Sequence, residues 1–526
     1  MNINIAIGKL RREAGLSQEG FANLFNVSQQ SVQKWESGES LPEINKLVAV
    51  AKHFGVSLDA LILGNDNRIV EEMRNSNQIK PQYNNIHDWE FYSSNLCTEY
   101  QQSVEEGLDI ERYKDIFLSI SHLPKNETKK KLGDILFETV QSAPKIEGYE
   151  FEEPSSLELI KELRAPYEYS KNKIVNLESK ISGAWFGRIC GCLLGKPIEG
   201  IRSDELIPFL KETDNYPMKR YVQRSDLTEE VLSKYKFSFS SRRYADEIDS
   251  MPFDDDTNYT VLYQQIIEKY GRDFTPFDVS RAWLDYQPKN AYCTAERVAF
   301  CNFVKGYEPP YSAIYKNPYR EWIGAQIRGD YFGYINPGNP ELAAEMAWRD
   351  ASISHTKNGI YGEMFVAAMI AVAAETTNLQ DIILGGLAQI PKTSRLYKEI
   401  KTVLSMYNEN KPEEECLKYI QEHYNEYTSH GWCHTISNAM IVVTALLYGK
   451  GDYGKSICMA VQSAYDTDCN GATVGSILGM ANGIESIPEY WTKPINNTLN
   501  TTIFGIHKVK ITDRVALTLK HISSKN

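Results

Sequence analysis

Lys180-Ile-Ser-Gly-Ala-Trp-Phe-Gly-Arg-Ile-Cys-Gly-Cys-Leu-Leu-Gly-Lys-Pro-Ile-Glu-Gly200 places glycine at positions 183, 187, 191 and 195, one every four residues. At helical pitch this spacing leaves one face of a helix without side chains, against which a second helix can pack closely. Pro197 stops the helix and delivers Glu199 from the loop that follows. Near the other end of the chain, Gly471-Ala-Thr-Val-Gly-Ser-Ile-Leu-Gly479 also has the small-residue spacing of a closely packed helix.

Between and around these stretches, helical periodicity recurs over Pro340 to Ala351, Tyr361 to Ala374, Ser394 to Tyr407, Pro412 to Asn425, His434 to Tyr448 and Gly471 to Asn482. Strand-like alternation is scarce, so the pattern predicts an all-α region with polar clusters at loop-to-helix junctions. Two clusters are rich in aspartate: Asp254-Asp255-Asp256-Thr257 and Asp466-Thr467-Asp468-Cys469. Taken singly, such a run reads as a solvated turn or a helix N-cap. Taken together they read as an oxygen-rich cage for hard divalent cations, because adjacent carboxylates repel unless a cation neutralises them, and Mg²⁺ accepts oxygen ligands while keeping water. Asp466 and Asp468 open the second glycine-studded stretch, at a helix entrance facing the interior, where unpaired carboxylates are costly.

Two further junctions carry candidate ligand-binding residues. Ile353-Ser-His-Thr-Lys-Asn-Gly-Ile-Tyr-Gly-Glu363 is a Gly-containing loop running into an apolar helix, and amides exposed at a helix N-terminus suit a diphosphate. Gly431-Trp-Cys-His-Thr-Ile-Ser-Asn438 places His434 at another helix entrance. For His355 and His434 alike, the competing reading is a packed, hydrogen-bonded structural histidine.

A chain of 526 residues is too long for one core and implies two or three domains. Its 57 basic against 69 acidic residues give a net charge of −12, which argues against wholesale nucleic-acid or membrane binding. The longest apolar run, Met364 to Ala374, is far short of a membrane span, and the first residues lack a signal-peptide pattern, so a cytoplasmic location is expected. None of the nine cysteines forms a CxxC pair. Cys190, Cys192 and Cys458 lie in apolar or glycine-rich stretches and read as reduced packing residues.

Residues 1–64 form a separate module. Leu10, Leu16, Phe21, Leu24, Phe25, Val27, Val32, Trp35, Leu47, Val50, Ala51, Phe54 and Leu58 recur at helical spacing with breaks that predict about five short helices. Ser17 and Ser28 fit N-cap positions, and Asn26 suits a left-handed turn between helices over Gln18 to Phe25 and Gln29 to Glu36, a pair with helix-turn-helix proportions. Residues 65–175 are the least readable: polar Asn65-Asp-Asn-Arg begins a linker, and periodicity over Ile110 to Ser121 and Lys129 to Val140 predicts a helical connector without a catalytic role. The large helical region is placed at 176–505, and 506–526 is expected to be a C-terminal tail.

The run from Leu16 to Gly38 resembles the Cro/C1, or xenobiotic-response-element, repressor family over almost all of residues 5–64. The resemblance implies a recognition helix from Gln29 to Trp35, with Gln29, Gln30, Gln33 and Lys34 in the major groove and Gln18 near a phosphate. Gln suits base reading because its amide pairs bidentately with adenine. Six basic residues are balanced by six acidic ones in this module, so phosphate attraction is modest, and a homodimer on double-stranded DNA is expected. Residues 180 to about 500 resemble the ADP-ribosylglycohydrolase family, which includes the dinitrogenase reductase-activating enzyme. The glycine helix ending in Glu199, Asp255 to Thr257, the Ser-His loop from Ser354 to Gly362, and Asp466 to Asp468 carry the likeness, in the family's order.

That likeness implies an all-α domain with two Mg²⁺ or Mn²⁺ ions that engage the ribose hydroxyls of ADP-ribose. Glu199, Asp254, Asp255, Asp256, Asp466 and Asp468 would be ligands, with Cys469 at the position of a further one. Glu199 or Asp255 would act as general base, and Ser354, His355, Gly359, Ile360, Tyr361, Gly362 and His434 would contact substrate. This chain departs from the family in three places: Asp254 stands where Ser or Thr is common, Cys192 where Asp is, and Cys469 where Ser or Thr is. The expected function is a Mg²⁺-dependent hydrolase of an ADP-ribosyl glycosidic bond joined to a DNA-binding module. The alternative is a transcriptional regulator that senses ADP-ribose or a related nucleotide without turnover.

Overall fold

The computed structural model describes residues 3–63 and 81–524; the Asn65-Asp-Asn-Arg run expected to begin a linker lies outside them. The chain divides into two units, Met1–Gln82 and Tyr83–Asn526.

The first unit has the five expected helices: α1 (Ile3–Glu13), α2 (Gln18–Leu24), α3 (Gln29–Ser37), α4 (Ile44–Phe54) and α5 (Leu58–Leu63). Side-chain oxygens cap the two helices of the turn as their sequence requires. Ser17 Oγ accepts from the Gly20 amide at 3.0 Å and Ser28 Oγ from the Ser31 amide at 3.1 Å. Asn26 takes a positive φ of 51° in the connection. Phe21, Phe25, Val32, Trp35, Leu47, Val50 and Ala51 are buried as expected, but Leu24 and Leu58 point outward. Their places in the core are taken by Ile3, Ile7 and Leu61, because α1 and α5 close over the turn.

The second unit is helical apart from one antiparallel hairpin, Thr498–Ile503 with Ile506–Lys510, among the described residues. Its centre is the Asn358–Ala373 helix, buried along its whole length, which accounts for its uniformly apolar sequence. The helices observed over Pro340–Ala351, Arg395–Asn408, Glu413–His423, Thr435–Gly449 and Thr467–Asn482 match the expected stretches to within a few residues. No described helix is long and apolar enough to cross a membrane.

Two expectations are corrected. The described part of the expected 506–526 tail, residues 506–524, is not a tail: the second hairpin strand leads into the Ile511–Ser523 helix, where Thr518 Oγ1 accepts from Trp185 Nε1 at 3.0 Å. The described part of the connector is likewise built into the second unit. Its Leu96–Glu105, Lys114–Ser121 and Glu127–Ser142 helices enclose a small core of Leu96, Ile110, Phe117 and Leu136. They are tied to the larger body by buried ion pairs, Arg320 to Glu99 at 2.8 Å and to Glu106 at 2.6 Å, and Arg395 to Glu153 at 2.9 Å.

Candidate metal centre and cleft

The glycine faces of Leu177–Gly195 and Thr467–Asn482 meet in antiparallel register. A Cβ on Gly183, Gly187 or Gly191 would overlap the backbone carbonyl of Gly479, Gly475 or Gly471, and the reverse overlaps hold for the partner glycines. The two backbones are therefore in direct contact over three turns, a distance that only glycine permits. One turn further on, Gly195 abuts the Thr467–Asp468 peptide. The register thus sets the loop carrying Glu199 beside Asp466, the N-cap residue of the second helix, and Asp468 in its first turn.

The other aspartate cluster arrives on a third element. Met251 pairs with the hairpin, its amide donating to the Thr498 carbonyl at 2.8 Å, and this fixes the approach to the Asp255–Tyr270 helix. Asp254 is the N-cap, its Oδ1 accepting from the Asp256 amide at 2.9 Å. Arg188 on the glycine helix donates to the Asp256 carbonyl at 2.7 Å and pairs with Asp330 at 2.8 Å. The potential ligand atoms of Cys192, Asp254 and Asp256 lie within 4.8 Å of one another, as do those of Asp466, Asp468 and Cys469. Cys192, read from sequence as packing, thus belongs to the acidic centre: burial, and then Asp254, pushes its thiol well above the usual range.

Basic partners are scarce here. Lys196 Nζ lies 2.6 Å from Asp254 Oδ2, whereas Asp255, Asp466 and Asp468 have no ion-pair partner among the described residues. Burial, Asp466 and Asp254 push Glu199 up to about 7, and burial, Asp254 and Glu199 push Asp255 up to about 8. Oδ1 of Asp468 is buried with no hydrogen-bond partner. Crowded carboxylates with an orphaned oxygen fit a hard divalent cation.

A cleft of about 350 Å³ opens above this centre, with Glu199, Asp255, Asp466, Asp468 and Cys469 among its lining residues. Trp322 and Trp432 form part of its wall, and the Arg202 guanidinium stacks 4.8 Å from the Trp432 ring. Trp89, Asn95 and Thr98, from the segment read in sequence as a helical connector, also line it. No local motif marks them; they reach the cleft because Glu90 pairs with Lys289 at 2.8 Å and Arg297 stacks on Trp89.

The candidate substrate residues of the Ser-His loop lie elsewhere. Ser354, His355, Gly359, Ile360, Tyr361 and Gly362 are buried and do not line the cleft. The N-terminus of helix Asn358–Ala373 is covered by the 153–155 segment rather than open to the cleft. The Lys357 amide donates to Ser155 Oγ at 3.1 Å, and the Asn358 side chain donates to Glu153 at 2.8 Å. Tyr361 Oη donates to the Pro154 carbonyl. His434 is buried as the N-cap of Thr435–Gly449, with Nδ1 accepting from the Ile436 amide at 3.1 Å and Nε2 beside Glu321 at 3.4 Å. In the first unit Gln29, Gln30, Gln33 and Lys34 are exposed on α3. Gln18 is half-buried, its amide donating to Glu36 at 2.9 Å beside the Arg11–Glu36 pair.

Comparison with known proteins agrees with both units. The ADP-ribosylglycohydrolase family model matches residues 174–519 and a helix-turn-helix model matches 7–61. The chain belongs to the ADP-ribosylglycohydrolase family and carries an N-terminal helix-turn-helix domain. That domain is similar to the HTH-type transcriptional activator BcrR of Enterococcus faecalis, with 33% identity over 87 residues, 16% of this chain and 43% of that protein, so the chain spans less than half of that relative. A solved ADP-ribosylglycohydrolase-related protein complex is 15% identical, covering 66% of this chain and 98% of that one at a TM-score of 0.40.

Proposed function

We propose that the second unit hydrolyses an ADP-ribosyl glycosidic bond with two Mg²⁺ or Mn²⁺ ions held by Glu199, Asp254, Asp255, Asp256, Asp466 and Asp468. The observation that carries the reading is the convergence of Glu199, Asp255, Asp466 and Asp468 at one cleft, with Asp254 and Asp256 beneath them and no ion-pair partner for Asp255, Asp466 or Asp468 among the described residues. When bound, two such cations supply orientation of a ribose diol and a water of lowered pKa. The chain's own residues do the rest. Glu199 and Asp255 face the cleft, where either carboxylate is placed to serve as general base. Trp322, Trp432 and Arg202 offer aromatic and cationic surface for the nucleotide portion. Turnover of a panel of ADP-ribosylated substrates in Mg²⁺ tests the reading. Excess chelator, Asp255→Ala and Asp468→Ala should each abolish it while helical circular dichroism is retained; full activity in chelator would sink the dinuclear centre.

A second reading is favoured by the exposed α3 face of the helix-turn-helix unit: a homodimer reads double-stranded DNA, and ADP-ribose acts as its effector. Linkage then requires DNA and ADP-ribose to alter each other's affinity by one factor. Fluorescence anisotropy of a selected duplex with and without ADP-ribose and Mg²⁺ tests it, and superimposable curves would rule ADP-ribose out as effector.

A further inference from the structure

A carboxylate outside both aspartate clusters also lines the cleft. Glu296 stands in the first turn of the Thr294–Val304 helix, 2% exposed. Its Oε1 accepts from Arg328 Nη1 at 3.0 Å, whereas Oε2 is buried with no partner. A buried carboxylate oxygen without a donor is costly and calls for one.

Three features hold Glu296 in this position. Arg328 is itself fixed, by Asp350 at 2.6 Å and by Ser354 Oγ, which receives two of its N–H groups at 3.1 Å. Ser354 Oγ in turn lies 2.9 Å from His355 Nδ1, so these two residues are linked to Glu296 through Arg328. Gly324, also in the cleft wall, makes room for the carboxylate: a Cβ there would overlap the Glu296 carboxyl group. Thr294, two residues earlier, has a φ of 22°, a strained conformation for a β-branched residue that the surrounding packing must enforce.

We propose that Glu296 is a substrate-contacting carboxylate that accepts a hydrogen bond from a ribosyl hydroxyl through Oε2, and that Ser354 and His355 are positioning residues acting through Arg328. The assignment rests on the ADP-ribosyl reading of the cleft. It separates Glu296 from the metal-binding carboxylates in role as well as in place.

Calorimetric titration of ADP-ribose into the full chain in Mg²⁺ tests it, using wild type, Glu296→Gln and Gly324→Ala. Glutamine keeps the size of the side chain and removes the charge, so binding should weaken about ten-fold or more, the loss typical of a charged hydrogen bond. Gly324→Ala, which displaces the carboxyl group without removing it, should weaken binding in the same direction. An ADP-ribose analogue lacking the contacted hydroxyl on its distal ribose should bind wild type and Glu296→Gln alike, a result that a merely structural role would not produce. Mg²⁺ affinity should stay unchanged in Glu296→Gln. Unchanged ADP-ribose affinity in both variants, or a loss of Mg²⁺ affinity in Glu296→Gln, overturns the assignment alone. No ADP-ribose binding by wild type removes the hydrolase reading and the assignment with it.

Discussion

Cys469 Sγ lies 3.1 Å from Oδ2 of Asp256, so a thiol bridges two acidic segments 213 positions apart in the chain. Burial, followed by Asp256 and its neighbours, holds that thiol well above the usual range and therefore protonated, and a neutral thiol is a poor Mg²⁺ ligand. Cys469→Thr, which supplies a hydroxyl oxygen instead, should tighten Mg²⁺ binding by roughly ten-fold, about 1.4 kcal/mol. An unchanged calorimetric Kd would return Cys469 to packing.

The crowded carboxylates also predict how metal stabilisation varies with pH. Glu199 and Asp255 are raised to about 7 and about 8 in the fold, above the usual ~4 of an unfolded chain. Between these limits the metal-free folded chain binds more protons than the unfolded one. This contribution is fully present below about pH 4 and is lost as pH rises through about 7 to 8. The Tm gained on adding Mg²⁺ over chelator should therefore grow from about pH 6 to about pH 8.5. A gain independent of pH would mean that these two groups are not crowded in the metal-free protein.

Gly475→Ala should destabilise the second unit by about 1–3 kcal/mol, since its Cβ would overlap the Gly187 carbonyl and force the two helices apart. Because the same register aligns Glu199 with Asp466, Mg²⁺ affinity should fall with it. Thermal denaturation and metal titration of one preparation check both effects, and loss of neither would show that the helix pair is elastic.

For the helix-turn-helix unit, Gln30→Ala should cost roughly 1–3 kcal/mol of binding to a selected duplex for each base that the side chain ceases to read. Gln18→Ala should act differently, through the packing of α2 on α3, because its amide donates to Glu36. The expected result is a lower Tm with little change in base preference; altered base preference in Gln18→Ala would place that side chain on DNA after all.

Much of this architecture is legible in periodicity. The four-residue glycine spacing predicted two tightly packed helices, and the Asp runs predicted charged helix entrances, both local properties. Periodicity does not name a partner, so the antiparallel pairing of Gly183 with Gly479 stayed hidden. The Ser354–Gly362 loop looked like an anion site because glycines before an apolar helix leave amides free. That helix entrance is covered by Ser155 and its neighbours, from a segment some two hundred positions earlier, and no local pattern reports that. Trp89 and Glu296 escaped notice for the same reason: each gains its place from a distant arginine, Arg297 or Arg328.

The ion pairs of the connector bear on how this protein can be dissected. The family match begins at residue 174, a natural place to start a shortened gene. A chain starting there would leave Arg320, which the intact molecule buries, without both of its carboxylate partners, Glu99 and Glu106, while Arg395 would lose Glu153 and keep Glu321. An uncompensated buried charge costs about 3–5 kcal/mol, a large share of what holds any domain together. The shortest version expected to survive expression begins near Tyr83, and insolubility of the shorter one would say nothing about its chemistry.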